Sequence, residues 1–252
     1  MHHLTWPGAL AVFVAGGLAG MINAIVGSGS LVTFPTLVAL GYSPLVANVS
    51  NNVGLVFGNF SGVYGYRREL VGQSSRIRAL TPWSAAGGIV GACLLLIHPS
   101  IFKSVVPWLV LLAVVMVILQ PRLARALAQR QGEATHGGVP LRVGMFLTGI
   151  YGGYFGAAQG VILIAILAIG INDQLQRLNG FKNLATGVVN FLAGVLFIFF
   201  APVNWTVAGI IAVSSILGAQ LGAKVGRKLP APVLRTIIVI GGLSIAIYLL
   251  TK

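Results

Sequence analysis

Apolar runs recur along nearly the whole length of this 252-residue chain, and they leave few ways to fold it. A helix that crosses a bilayer core needs about 20 predominantly apolar residues. In hydrocarbon every backbone N–H and C=O must find a partner inside the protein, which favours helices as the spanning element. Five apolar segments can be read in the first half, at 8–26, 31–41, 44–66, 79–97 and 101–119, and five in the second, at 141–155, 160–171, 178–201, 203–223 and 233–250. Only 8% of the residues are charged, against roughly 25% in a soluble domain. These features predict an all-α polytopic membrane protein.

The segments repeat. A shift of 131 positions lays Asn48, Asn52, Asn59 and Phe60 on Asn179, Asn183, Asn190 and Phe191. In each half the second segment is too short to cross alone, and small residues join it to the first: Gly27-Ser28-Gly29-Ser30 in one half, Gly156-Ala157-Ala158-Gln159-Gly160 in the other. Such residues interrupt a helix and let backbones approach closely. Each half therefore reads as a broken or re-entrant helix hairpin followed by three spanning helices. The expected division is a first repeat at 1–119, a linker at 120–140 and a second repeat at 141–252.

Loop charge predicts the orientation of each half. Arg67, Arg68, Arg76 and Arg78, against Glu69, precede the fourth segment, the linker carries Arg122, Arg125, Arg130 and Glu133, and Lys224, Arg227, Lys228 and Arg235 surround the joint before the last segment. Clustered Lys and Arg mark the cytoplasmic side. The joints at His98–Lys103 and at Pro202-Val203-Asn204 have little or no charge and are assigned outside. The third segment then runs inward and its counterpart runs outward, so the two repeats have inverted topology, a recurring transporter plan. Both termini are expected outside, in a cell membrane. The N-terminal stretch has no Lys or Arg before its first apolar run, unlike the positive start of a cleaved secretory signal.

Polar residues inside apolar segments mark candidate sites, because they are costly in lipid and face a bundle interior or a cavity. Asn48, Asn52 and Asn59 share one helix face, with Asn51 beside them, and Asn179, Lys182, Asn183 and Asn190 repeat the pattern. Interhelical hydrogen bonding as structural glue is the plain alternative, and Asn59 and Asn190, two turns further along, fit it best. Asn48 and Asn52 are expected to face Asn179 and Asn183 across the membrane midplane. Lys182 either snorkels to the interface or offers positive charge to an anion. Helix starts after the two breaks present N–H groups suited to an anion, and Ser28, Gly29, Ser30 and Gln159 could add donors. The candidate substrate-binding set is Ser28, Gly29, Ser30, Asn48, Asn51, Asn52, Gln159, Asn179, Lys182 and Asn183.

Other functions find little support. The net charge of +13 comes from 16 Lys and Arg against 3 Asp and Glu. In a soluble protein it would suggest nucleic acid, but here loop topology explains it. Glu69, Glu133 and Asp173 all fall in loops or at segment ends, which leaves no intramembrane carboxylate for a proton relay or a cation site. There is no phosphate-binding loop, metal-ligand cluster or nucleophilic triad in the pattern. Neither an enzyme nor a cofactor is expected. The single cysteine, Cys93, forms no intrachain disulfide.

The stretches Gly27-Ser28-Gly29-Ser30-Leu31-Val32-Thr33-Phe34-Pro35, Pro44-Leu45-Val46-Ala47-Asn48-Val49-Ser50-Asn51 and Tyr64-Gly65-Tyr66-Arg67-Arg68-Glu69-Leu70 resemble the TauE/SafE sulfite exporter family. So do Tyr151-Gly152-Gly153-Tyr154-Phe155-Gly156 and Leu175-Gln176-Arg177-Leu178-Asn179-Gly180-Phe181-Lys182-Asn183 in the second half. The chain departs from the family where Ser28 and Ser30 interrupt the first glycine run and where the second break has lost glycines. The resemblance implies a transporter of sulfur-containing anions such as sulfite or organosulfonates, usually an exporter. The expected partners are a small inorganic or organic anion and the lipid bilayer. An anion channel and a membrane scaffold without flux are the competing expectations.

Overall fold

The computed structural model describes residues 4–128, 138–225 and 231–251. These residues form α1 (Trp6–Ile25), α2 (Ser30–Ala39), α3 (Pro44–Gly65), α4 (Ser74–Ile97), α5 (Pro99–Ala128), α6 (Val139–Tyr154), α7 (Gln159–Gly170), α8 (Leu175–Phe200), α9 (Trp205–Val225) and α10 (Ala231–Thr251), with no strand among the described residues. Among the described residues five stretches are long and apolar enough to cross a membrane: Trp6–Ile25, Ser74–Ile97, Pro99–Gln120, Leu175–Phe200 and Trp205–Lys224. The 22 residues of α3 are also long enough, but its asparagines and glycines dilute its hydropathy.

Two boundaries move by more than a helical turn from the sequence expectation. α5 continues to Ala128, into the expected linker, because Leu, Ala and Arg are all strong helix formers and polarity alone does not end a helix. α4 begins at Ser74, so Arg76 and Arg78 stand on its first turns rather than in a loop. Arg130, Glu133, Arg227 and Lys228, which bear on the expected orientation, lie outside the described residues, as does the linker segment 129–137.

Helices pack across the halves in matching pairs. α1 lies along α9, and α6 lies along α4. Glycine makes both contacts close. A Cβ at Gly87 or Gly91 of α4 would overlap the carbonyl oxygen of Phe146 or Ile150 on α6. One at Gly218 or Gly222 of α9 would meet that of Gly17 or Met21 on α1. Small residues four apart are the usual means of bringing membrane helices into backbone contact, where packing replaces the missing hydrophobic drive. The helix pairs α5 with α10, and α3 with α8, each join equivalent elements from the two halves. At the latter crossing the rings of Phe60 and Phe191 meet edge to face at 6.0 Å.

The equivalence carries two offsets. Residues of α1 and α2 match residues 129 further on, while those of α3 and α4 match residues 131 further on. The difference is the two extra residues of α7, 12 residues long against 10 in α2. Many large apolar side chains on the outside, among them Phe13, Trp108, Phe199 and Leu217, are exposed. In a bilayer such a surface contacts lipid tails and needs no further cover.

Candidate functional site

Both broken helices end in the same way. The Gly27 N–H donates to Ile22 O at 3.0 Å, and the Gly156 N–H to Tyr151 O at 3.1 Å. The two glycines have φ of 87° and 76°, the left-handed region that ends a helix without a Cβ penalty. In the second break Ala158 is also left-handed, at φ 59°, a conformation that costs a non-glycine residue on the order of 1 kcal/mol. The breaks touch each other. Gly160 N–H donates to Gly27 O at 3.1 Å, and a Cβ on either glycine would lie 2.5 Å from the other's Cα.

The asparagines of α3 and α8 serve the opposite half. Asn48 Nδ2 donates to Tyr154 O, the last residue of α6, at 3.1 Å. Asn179 Nδ2 lies within reach of Ile25 O, the last residue of α1, at 3.3 Å, of Ala24 O at 3.4 Å and of the Tyr66 hydroxyl at 3.3 Å. Asn183 Nδ2 adds a bond to Ala24 O at 3.2 Å. The last carbonyls of any helix lack intrahelical partners, and here asparagine side chains from the other half supply them. Asn48 and Asn179 are thus directed at helix ends rather than at each other. Asn51 accepts a short hydrogen bond from Thr33 Oγ1 of α2.

A small cleft lies where the breaks meet α3 and α8. Gly27, Ser30, Gly156, Gln159 and Gly160 line it from the breaks, Asn59, Thr186 and Asn190 from the long helices, and Asn23 from α1. Its volume, about 10 Å³ as reached by the centre of a water molecule, is on the scale of one bound water. Of the expected residues, Ser30 and Gln159 border this space. Asn52 stands behind it, its Nδ2 3.4 Å from Asn190 Oδ1. Ser28 is fully buried, its Oγ without a protein partner, and Gly29 gives its N–H to Asn23 Oδ1 at 2.6 Å. Two cleft-lining amides, Gln159 Nε2 and Asn59 Nδ2, are buried donors without a partner. Each such group costs about 1–3 kcal/mol when nothing answers it.

Lys182 is 1% exposed, and its Nζ donates to the carbonyl of Asn23 at 3.1 Å. It lies one helical turn before Thr186, whose hydroxyl donates back to Lys182 O at 2.8 Å. Among the described residues Lys182 makes no ion pair. Ion pairs Arg76–Asp173 at 2.8 Å and Arg177–Asp173 at 3.1 Å join the starts of α4 and α8 to the connection before α8. Burial pushes the Asp173 carboxyl up, but hydrogen bonds from Arg76, the Gln174 N–H and Arg177 outweigh it and hold its pKa below the ordinary value. Arg177 also donates to Val71 O, and Gln73 Nε2 to Arg177 O, which ties the α3–α4 connection to the start of α8.

Asn23 and Thr186 were not among the expected site residues, and Asn59 and Asn190 were expected as glue. Asn23 lies four residues before Gly27 in an otherwise apolar helix, a signal available in the sequence. Its equivalent 129 positions on is Gly152, so the repeat does not point to it.

Broken helices that meet beside a polar cleft are a recurring feature of membrane transporters. The chain matches the family described as "Sulfite exporter TauE/SafE" over residues 12–249, and it belongs to that family. It is 28% identical over 244 residues to a probable membrane transporter protein, ORF9, of Sinorhizobium sp, covering 95% of this chain and 91% of the relative. It is 28% identical over 230 residues to a probable membrane transporter protein of Haemophilus influenzae, covering 91% and 89%. The same identity over 230 residues relates it to the probable membrane transporter protein YfcA of Escherichia coli, covering 88% and 84%. No solved structure matches the chain. The protein is a membrane transporter rather than an enzyme.

Proposed function

We propose that the protein is a secondary transporter of small sulfur-containing anions, sulfite or organosulfonates, working by alternating access at the cleft between two inverted repeats. The observation that carries this reading is Lys182, a buried amine that donates to a carbonyl and meets no carboxylate among the described residues, beside a cleft with two unanswered amide donors. A buried charge without a partner is costly, and a bound anion would offset that cost. Charge-assisted hydrogen bonds to an oxyanion are also stronger than neutral ones. The family name points to the same chemistry.

The inverted arrangement is supported by loop charge and by the exchange of contacts between halves, in which α1 meets α9 as α6 meets α4. Such repeats move by rocking one bundle against the other around a midplane site. The cleft is small, so passage of an anion requires the breaks to part, and Gly27 and Gly156 are the natural hinges. Outward movement of an anion from a negative interior is favoured by about 2.3 kcal/mol per charge per 100 mV, so export needs no coupled proton. The test is reconstitution in liposomes with sulfite, thiosulfate, sulfate, methanesulfonate and acetate, with and without an imposed potential. Flux of the sulfur oxyanions that follows the potential is expected. Absence of flux for every anion contradicts the proposal.

A further inference from the structure

We propose that Gly152 and Gln159 act as a pair that sets how large an anion the cleft accepts, an inference that rests on reading the cleft as the transport site. Gln159 is 2% exposed, starts α7 and lines the cleft, with its Nε2 unpartnered. Gly152 is a buried residue of α6. A Cβ built on Gly152 would overlap the carboxamide of Gln159. The missing side chain of Gly152 is therefore the notch in which the Gln159 amide rests.

The first half fills the equivalent space differently. There Asn23 stands where the second half has Gly152, and Ser30 stands where it has Gln159. Asn23 turns back to hold the Gly29 N–H at 2.6 Å, beside the short side chain of Ser30. The second half combines a long amide with an empty notch, so its amide can lie back against α6 or swing into the cleft. Once the breaks part to admit an anion, the first position leaves more of the opened cleft free beside the anion and the second takes that space away. The rest of the cleft wall is glycine backbone of the two breaks, the hydroxyls of Ser30 and Thr186 and the shorter amides of Asn23, Asn59 and Asn190, and Gln159 is the long flexible side chain standing over a glycine.

The neighbouring glycine supplies a contrast. A Cβ at Gly153 would overlap the backbone carbonyl of Gly88 on α4, which cannot move without shifting a helix. At Gly152 the obstacle is the far end of a flexible side chain. Gly152→Ala is therefore expected to fold, with the Gln159 amide displaced into the cleft, whereas Gly153→Ala is expected to lower thermal stability.

The experiment measures sulfite and ethanesulfonate flux in proteoliposomes holding wild type, Gly152→Ala, Gln159→Ser and the double variant, with melting temperatures of each in detergent. Gly152→Ala is expected to lower the ethanesulfonate-to-sulfite flux ratio by about tenfold, the scale on which a pocket discriminates small groups. Gln159→Ser is expected to raise that ratio, and the double variant is expected to follow Gln159→Ser. In the melts, Gly152→Ala should lower stability when Gln159 is intact and should not lower it further when combined with Gln159→Ser. A ratio unchanged in all variants while wild-type flux persists, or a double variant as impaired as Gly152→Ala, overturns the pairing. Absence of wild-type flux for both anions overturns the transport reading and the size selection with it.

Discussion

The backbone N–H of Gly160 donates to the carbonyl of Gly27 at 3.1 Å, so the break in one half of the chain is hydrogen-bonded to the break in the other. The two residues are far apart in the chain, yet the absence of a side chain at each is what lets them touch. Around this contact lie the polar cleft, the unpartnered amides and the buried lysine.

Substitution at this contact should be costly. Gly27→Ala places a Cβ both at positive φ and 2.5 Å from the Gly160 Cα, and Gly160→Ala meets the Gly27 Cα in the same way. Left-handed backbone alone costs a residue with a Cβ about 1–2 kcal/mol, and the clash brings the expected loss to roughly 2–4 kcal/mol. Unfolding in detergent should show it as a lowered midpoint for either variant. Gly209→Ala, where a Cβ meets nothing within 4 Å, should not lower the midpoint.

The crossed caps should be unequal. Asn48 Nδ2 holds one carbonyl, that of Tyr154, whereas Asn179 Nδ2 reaches two carbonyls and a hydroxyl. An interhelical hydrogen bond in a membrane is worth about 0.6 kcal/mol on average and up to about 1.7. Asn48→Ala is expected near the lower figure and Asn179→Ala near the upper, read as the difference in unfolding free energy between the two variants.

The ion pairs of Asp173 should respond to acid and not to changes near neutrality. The folded carboxyl titrates below its ordinary value of 3.8. A depressed pKa contributes stability that is fully present above the unfolded value and is lost as pH falls through the folded one. Stability from this cluster is therefore expected to be constant from about pH 8 to about 5 and to decline below about 4. Asp173→Asn should remove the acid-dependent component and cost roughly 1 kcal/mol at neutral pH. Melting curves of wild type and variant across that range provide the check.

Much of the frame was legible in the sequence, because bilayer thickness acts on long stretches of chain. The apolar segments, the two breaks and the matched asparagines all follow from spacing and residue type. What each asparagine touches was not legible. A repeat shows which residues are equivalent, but the halves of this protein interlock, so Asn48 meets Tyr154 and Asn179 meets Ile25. The two-residue excess of α7 also hides the common register of the breaks, since a shift of 131 fits the asparagines while 129 fits Gly27 and Gly156. Asn23 escaped for a related reason: its equivalent is a glycine, and only folding brings its carbonyl to Lys182.

We propose that Lys182 offers its charge to an anion in the cleft. This is tested most directly by the initial rate of sulfite uptake into proteoliposomes holding equal amounts of wild type or Lys182→Met. Methionine keeps much of the length and removes the charge. The predicted result is a fall of about tenfold or more, as expected when a charge-assisted contact worth about 1.5–3 kcal/mol is lost, with a melting temperature that does not fall. A variant that carries sulfite at the wild-type rate, or one that loses flux only in proportion to lost folding, would contradict it.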